Sequence, residues 1–167
     1  MSLPVKTERL VIREFTLADL DGVAALFADP AVLWWEPAPY SRTQSQEWLA
    51  RTLRRYREEG MAELAVVLQA DGRIVGDCGP VWREVAGERL PELGWDLRSD
   101  EWGKGYATEA ARGVLTHVAD LGLRRVYSLI TPENGRSQGV ARRLGMQVER
   151  RVVWEGWPHD LWALDLA

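Results

Sequence analysis

The residues best suited to chemistry in this chain lie in the run Leu97-Arg-Ser-Asp-Glu-Trp-Gly-Lys-Gly-Tyr-Ala-Thr-Glu-Ala110, where Gly103 and Gly105 stand just before an alanine-rich helical pattern. Glycine reaches backbone conformations closed to other residues and leaves its N–H uncovered. The helix that follows turns its unpaired first-turn N–H groups and the positive end of its dipole back onto the loop. That combination suits an anion, most naturally a phosphate or pyrophosphate. Spacing excludes two versions of such a loop. The NTPase pattern G-x-x-x-x-G-K-[ST] is absent, and G-x-G-x-x-G would need glycine where the chain has Thr108. A dinucleotide-binding βαβ unit also comes early in its domain, whereas this loop lies past the midpoint of the 167 residues. Alone, a G-x-G turn ahead of a helix fits a plain turn as well as a ligand site.

The elements that must position this loop follow from periodicity. Residues 8–14 alternate as a strand, with Leu10 and Ile12 on one face. Thr16 with Asp19 resembles a capping box and opens a helix striped by Leu20, Val23, Ala24 and Phe27, which Asp29-Pro30 stops. The Pro- and Trp-rich segment 34–40 is a loop. Thr43 with Gln46 is predicted to cap a second helix, buried through Leu49, Leu53 and Tyr56 and closed by Gly60. Residues 63–69 and 73–78 read as strands joined at Asp71-Gly72, 83–91 as a polar connection, and 92–97 as the strand entering the glycine loop. Ala107, Ala110, Ala111, Val114, Leu115, Val118 and Leu121 then keep a 3.6-residue period, with Gly122 as C-cap. A strand at 125–131, a helix at 136–144 capped by Gly145, and strands at 147–154 and 160–166 complete the order βαα-βββ-α-β-α-ββ. This describes one mixed α/β domain spanning 1–167.

Composition narrows the function classes. A chain of this length buries roughly 70% of its unfolded surface in one core, and its 46% hydrophobic and 28% charged residues are those of a soluble globular domain. A net charge of −4 argues against a nucleic-acid partner. No run of 18 apolar residues is present to span a membrane, and the N-terminus lacks the apolar core of a secretory signal. The single cysteine, Cys78, excludes an intrachain disulfide, suits a reducing cytoplasm and reads as strand packing rather than a nucleophile. No metal site is expected. Nine tryptophans are the compositional anomaly. Trp48, Trp82, Trp95 and Trp162 read as core.

The segment Trp102-Gly-Lys-Gly-Tyr-Ala-Thr-Glu-Ala resembles the pyrophosphate-binding loop of the GNAT superfamily of acyl-CoA-dependent N-acetyltransferases, written [QR]-x-x-G-x-[GA]. Gly105 and Ala107 fill its last two positions. Trp102 replaces the polar first residue, a departure common in the ribosomal-protein N-terminal acetyltransferase-like branch. Thr7-Glu-Arg-Leu-Val-Ile-Arg with Leu17-Ala-Asp, Asn134-Gly-Arg-Ser137 with Ala141-Arg-Arg-Leu-Gly-Met146, and Gly156 with Asp160 are similar to that branch in matching order. The resemblance implies an α/β (α+β) fold with a central mixed, mostly antiparallel twisted sheet and about four flanking helices. It also implies a V-shaped opening between the fourth and fifth strands, those ending near Leu97 and starting at Arg125, that holds acetyl-CoA.

On the same resemblance, backbone N–H groups of Gly103, Lys104, Gly105, Tyr106, Ala107 and Thr108, beside Trp102, would bind the pyrophosphate, and Leu97 would offer main-chain hydrogen bonds to the pantetheine arm or the acetyl carbonyl. Lys104 and Arg143 are either phosphate contacts or solvated charges. Glu109 is expected to complement the helix start or bond nearby backbone. The tyrosine that many relatives use as proton donor falls at Ala141 here, so Ser137 becomes the candidate donor to the leaving thiolate, with Asn134 as a cofactor contact; a helix-start hydrogen bond is the other reading of Ser137. Glu155 and Glu92 are the candidate general bases, while His117 and His159 read as structural or exposed. Trp34, Trp35 and Glu36, with Trp154 and Trp157, border the implied acceptor site, either as a wall for a cationic amine or as a dimer contact. The acceptor is a protein N-terminus, a polyamine or another small amine, and the chain a monomer or homodimer. An acyl-CoA-binding sensor without catalysis is the competing class, and a nucleotide-binding protein using the same loop a third.

Overall fold

In a computed structural model of the chain, which describes residues 3–167, the alternating run near the N-terminus becomes β2 (Leu10–Arg13), with Leu10 and Ile12 fully buried. A short β1 (Val5–Lys6), unforeseen in the sequence, pairs antiparallel with it. Met1 and Ser2, the start of the expected domain, lie outside the described residues. A single turn over Leu17–Asp19 leads into α1 (Leu20–Phe27). Here Asp19 accepts from the Thr16 N–H at 2.7 Å and is held by Arg13 at 2.8 and 2.9 Å. The second predicted cap is displaced. Ser41 and Gln44, not Thr43 and Gln46, form the box that opens α2 (Arg42–Glu58), because Ser41 is the last extended residue and Thr43 is already helical.

The remaining elements are β3 (Leu64–Leu68), β4 (Ile74–Val85), β5 (Glu88–Leu97), α3 (Tyr106–Asp120), β6 (Arg125–Ile130), α4 (Gly135–Leu144), β7 (Gln147–Trp154) and β8 (Trp157–Asp165). They form one eight-stranded sheet in the order β1-β2-β3-β4-β5-β6-β8-β7. The polar connection expected at 83–91 is instead the outer end of the β4–β5 hairpin, turned at Ala86-Gly87, both at positive φ. Its charged residues are strand residues at the rim, where Arg89 stacks 4.8 Å from the Trp82 ring. α3 ends at Asp120, leaving Leu121, last of the predicted stripe, exposed.

Every strand pairing is antiparallel except β5 with β6, which are parallel and registered at Glu92↔Tyr127. These are the fourth and fifth strands of the sequence-based count, one later here because β1 precedes them. Past that point a side chain stands in for the ladder: the Ser128 hydroxyl donates to the Leu93 carbonyl at 2.6 Å. The opening expected between these strands therefore begins where their backbone pairing ends.

Apolar residues cover both sheet faces. On one, Ala110, Ala111, Val114 and Val118 of α3 pack on Leu10, Ile12, Val66, Cys78, Leu93 and Leu97. Small residues bring the helix close: a β-carbon on Gly113 would lie 2.8 Å from Ile12 Cδ1. On the other, α1 and α2 cover Ala65 and Val67 with Val23, Leu26, Phe27, Trp48 and Leu49. Cys78 is buried, as expected, and burial pushes its thiol pKa up.

Candidate active site

The loop between β5 and α3 is anchored from both sides. Gly103 and Gly105 hold φ of +78° and +83°, and Gly105 is the N-cap residue of α3. No side chain caps that helix, so its first N–H groups remain available to an anion. A β-carbon on Gly103 would meet nothing within 4 Å, which leaves open space in front of the loop.

Trp102 and Lys104, counted in sequence among the cofactor contacts, are turned to other partners. The Trp102 indole donates to the Leu97 carbonyl at 2.9 Å, and the Arg136 guanidinium lies 4.4 Å over its ring. Trp102 thus ties the loop to the end of β5, and the Leu97 carbonyl is already taken. The Arg98 N–H donates to Val75 on β4, so strand alternation turns the Leu97 N–H toward β6 and the opening. Lys104 Nζ sits 2.7 Å from the buried Glu101, which Arg73 also holds at 3.0 Å. These cations keep the Glu101 carboxyl below the usual range.

Glu109 accepts from the Arg9 N–H at 2.8 Å, the Arg9 side chain at 2.7 Å and the Thr7 hydroxyl at 2.6 Å. It braces α3 against the N-terminal strand, bonding backbone as expected, and with Glu8 and Gly105 it lines the cavity beside the helix start. Glu109→Gln should lower unfolding stability by about 1 kcal/mol, because charge-assisted bonds become neutral ones. Urea denaturation reads this directly, and an unshifted midpoint would remove the brace from the account. Arg143, whose Nε donates to Thr108 at 3.1 Å, joins Arg9, Arg112, Gly105 and Gly113 around a cavity of 540 Å³ beside the helix start.

Across the opening, Asn134 is the N-cap of α4 and accepts from the Ser137 N–H at 3.1 Å. Its side chain is thus partly spent on the helix start. The Ser137 hydroxyl makes no hydrogen bond to any described residue. Ala141, where the family resemblance would place a tyrosine donor, is fully buried against Ile130, Met146 and Trp162.

The two candidate bases differ in setting. Glu92 is half-buried and its Oε2 is bonded to Arg83 Nε at 2.7 Å. Glu155 is exposed in the β7–β8 turn at φ +49°. Arg83 links the regions, lying 5.7 Å from the Trp154 ring. Trp34 and Trp35 meet edge to face at 5.8 Å and are half-exposed, Trp157 is 70% exposed, and the Tyr40 hydroxyl donates to Glu36 at 3.3 Å. Trp48 and Trp162 are buried as expected, whereas Trp82 and Trp95 are only half-buried.

Sequence reasoning missed an acidic pair, Asp77 buried and Asp96 half-buried. Asp77 on β4 lies directly opposite Asp96 on β5. Asp77 also opposes Ala65, which places the pair on the sheet face covered by α1 and α2. Burial, then the charges of Glu92 and Glu63, push Asp96 up to about 7. Burial, then Asp96 and Glu63, raise Asp77 well above the carboxylate range. The available signal was Asp77 inside an apolar strand run, Ile-Val-Gly-Asp-Cys, where a carboxylate needs a reason.

A family profile described as an acetyltransferase (GNAT) domain matches residues 9–147. The uncharacterised N-acetyltransferase p20 of Bacillus licheniformis is 27% identical over 146 residues, covering 86% of this chain and 82% of that protein. An L-methionine sulfoximine/L-methionine sulfone acetyltransferase of Pseudomonas aeruginosa is 28% identical over 160 residues, covering 93% and 90%. The crystal structure of an acetyltransferase from Agrobacterium tumefaciens superposes with a TM-score of 0.80 at 26% identity, over 98% of this chain and 95% of that one.

Proposed function

The chain belongs to the GNAT acetyltransferase family, and from that premise we propose that it transfers an acetyl group from acetyl-CoA to the nitrogen of a primary amine. The observation that carries this reading is the uncapped start of α3 behind Gly103 and Gly105, set beside the point where β5 and β6 part. Those residues fit a pyrophosphate: open space lies in front of Gly103, and no described side chain caps the helix that begins after Gly105. When bound, acetyl-CoA supplies a thioester carbonyl to the amine.

Around it the chain's own groups have separate tasks. The Leu97 N–H, turned toward the opening, would serve as a fixed donor to an acyl oxygen there. As the C–N bond forms and the C–S bond breaks, Glu155 or Glu92 would take the proton the amine loses, and Ser137, with its hydroxyl unengaged, would pass a proton to the leaving sulfur and regain one from solvent. Arg143 and its neighbours Arg9 and Arg112 line the cavity that receives further phosphate groups, while Lys104, paired with Glu101, acts on the loop's shape. The amine enters from the face of α1 and α2, between the Trp34–Glu36 loop and the Trp154–Trp157 hairpin. Glu92 and Glu155 stand on that side, with Glu155 the less constrained by partners.

No described helix is long and apolar enough to cross a membrane, and the free Cys78 supports placement in a reducing cytoplasm. Calorimetric titration with acetyl-CoA, ATP and NAD tests the cofactor: acetyl-CoA should bind and the others should not. Ser137→Ala should bind acetyl-CoA within about twofold of the parent and turn over about tenfold or more slowly. Thiol release at an undiminished rate in that variant would remove Ser137 from the reaction.

A further inference from the structure

Asp77 and Asp96 sit opposite one another on β4 and β5, which places their β-carbons about 5 Å apart. Asp77 is 3% exposed, and no described donor reaches its Oδ2. A buried carboxylate in that state is costly, and a cation is the usual relief. The nearby cations are committed elsewhere. Arg83 Nε lies 2.7 Å from Glu92, and Arg55 Nη1 lies 3.3 Å from Glu63.

The same face carries an empty space. Gly94 lies between Glu92 and Asp96 on β5, and a β-carbon there would come within 4 Å only of Glu92 Oε1, at 3.9 Å. Gly79, its cross-strand partner, is closed over: its β-carbon would meet the Ala62 carbonyl at 2.8 Å. The free space therefore lies over β5, beside three carboxylates and close to Leu97.

We propose that this cleft over Gly94 is the ammonium-binding pocket of the acceptor site, that Asp77 and Asp96 are its recognition residues, and that the acceptor is a small diamine or polyamine. The proposal rests on the acetyl-transfer reading above and names its substrate class. An ammonium group offers three N–H donors to the Asp pair and neutralises its charge. An α-amino acid would bring its own carboxylate against Glu92 and Asp96, where like charges repel. A peptide N-terminus brings one positive charge, but the acidic groups continue to the rim. Glu36 stands beside Trp34 and Trp35, and Glu155 beside Trp154, so a second ammonium finds both charge and aromatic faces there.

Titration calorimetry with spermidine and 1,4-diaminobutane against the protein without acetyl-CoA tests recognition directly. The parent should bind both. Asp77→Asn and Asp96→Asn should each weaken binding by at least about tenfold, with acetyl-CoA affinity within about twofold of the parent. Gly94→Leu fills the cleft without replacing a carboxylate and should abolish diamine binding while the protein still melts cooperatively. In thiol-release assays, kcat/KM for 1,4-diaminobutane should exceed that for L-methionine sulfone and for an alanine-initiated peptide by at least about tenfold. The Asp77→Asn loss should appear in KM. A preference for the amino acid or the peptide overturns the proposal, as does unchanged diamine binding in the folded variants. Failure of acetyl-CoA to bind overturns the acetyl-transfer reading alone, because the diamine titration does not depend on it.

Discussion

Replacing Gly76 with alanine should destabilise the protein by about 3 kcal/mol or more and nearly abolish acetyl transfer. A β-carbon at this position would lie 2.1 Å from the Asp96 carbonyl, 2.5 Å from Leu97 Cδ2 and 3.0 Å from Leu97 Cα. Two of these neighbours are backbone, so no side-chain rotation relieves the clash. The strand has to move, and the part that moves is the end of β5 that presents Leu97 to the opening. Stability and activity should therefore fall together, the second because a displacement of about 1 Å near reacting atoms can cost a hundredfold in rate. Gly94→Ala is the internal control for stability. It sits on the same strand pair with its β-carbon 3.9 Å from the nearest atom, and it should be neutral or slightly stabilising. Equal unfolding midpoints for Gly76→Ala and the parent would show that β4 and β5 tolerate separation here.

The second large effect runs in the opposite direction. Asp77→Asn should raise stability by about 1–3 kcal/mol at pH 8 and flatten the pH dependence of unfolding. Both carboxyls of the pair titrate higher in the folded protein than in the unfolded chain, Asp96 at about 7. Groups shifted upward contribute stability that is complete below the unfolded value, near pH 4, and is lost as pH rises through the folded value. The parent should thus weaken from about pH 4 upward, most steeply between about pH 5 and 6, where the unfolded carboxyls have lost protons that the folded pair keeps, and more gently once Asp96 titrates at about 7. Glu63 and Glu92 face the pair and sharpen the loss, while Arg83 opposes it. An asparagine amide can donate to Asp96, which removes one buried charge and gives the other a partner. Urea midpoints measured between pH 5 and 9 decide the matter: a variant that keeps the parent's slope, or is weaker at pH 8, contradicts the account. The same substitution is expected to impair diamine binding, so the pair trades stability for recognition.

Much of the site was legible because its signals are local. Gly103 and Gly105 before an alanine-rich period announce a loop and a closely packed helix whatever surrounds them, and both glycines hold positive φ. Glu109 does bond backbone, as expected, but it is the backbone of Arg9, joined by the Thr7 hydroxyl, at the far end of the chain, which no local signal named. Local signals also misled. Thr43 and Gln46 have the cap spacing, but Ser41 and Gln44 have it too, and Tyr40, which packs on Phe27 at 5.5 Å, sets where the chain leaves the core. The charges in 83–91 suggested a connection, although alternation within an exposed hairpin accommodates them. Lys104 looked available to phosphate until Glu101, three residues earlier, proved to be buried and in need of it.

The glycine loop, the helix behind it and most of the element order were readable along the chain, since each depends on neighbours within a few turns; the acyl-CoA chemistry came from the family resemblance that the loop carries, and the short β1 was not foreseen. The acceptor side was not. Asp77 meets Asp96 only through the register of β4 and β5, and a one-residue slip in that register would send one carboxyl to the opposite face. The space over Gly94 likewise exists because β3 closes over Gly79 and leaves its partner uncovered. Pairing across strands, and the burial it imposes on charge, is a property of the assembled sheet; no spacing along the chain encodes it.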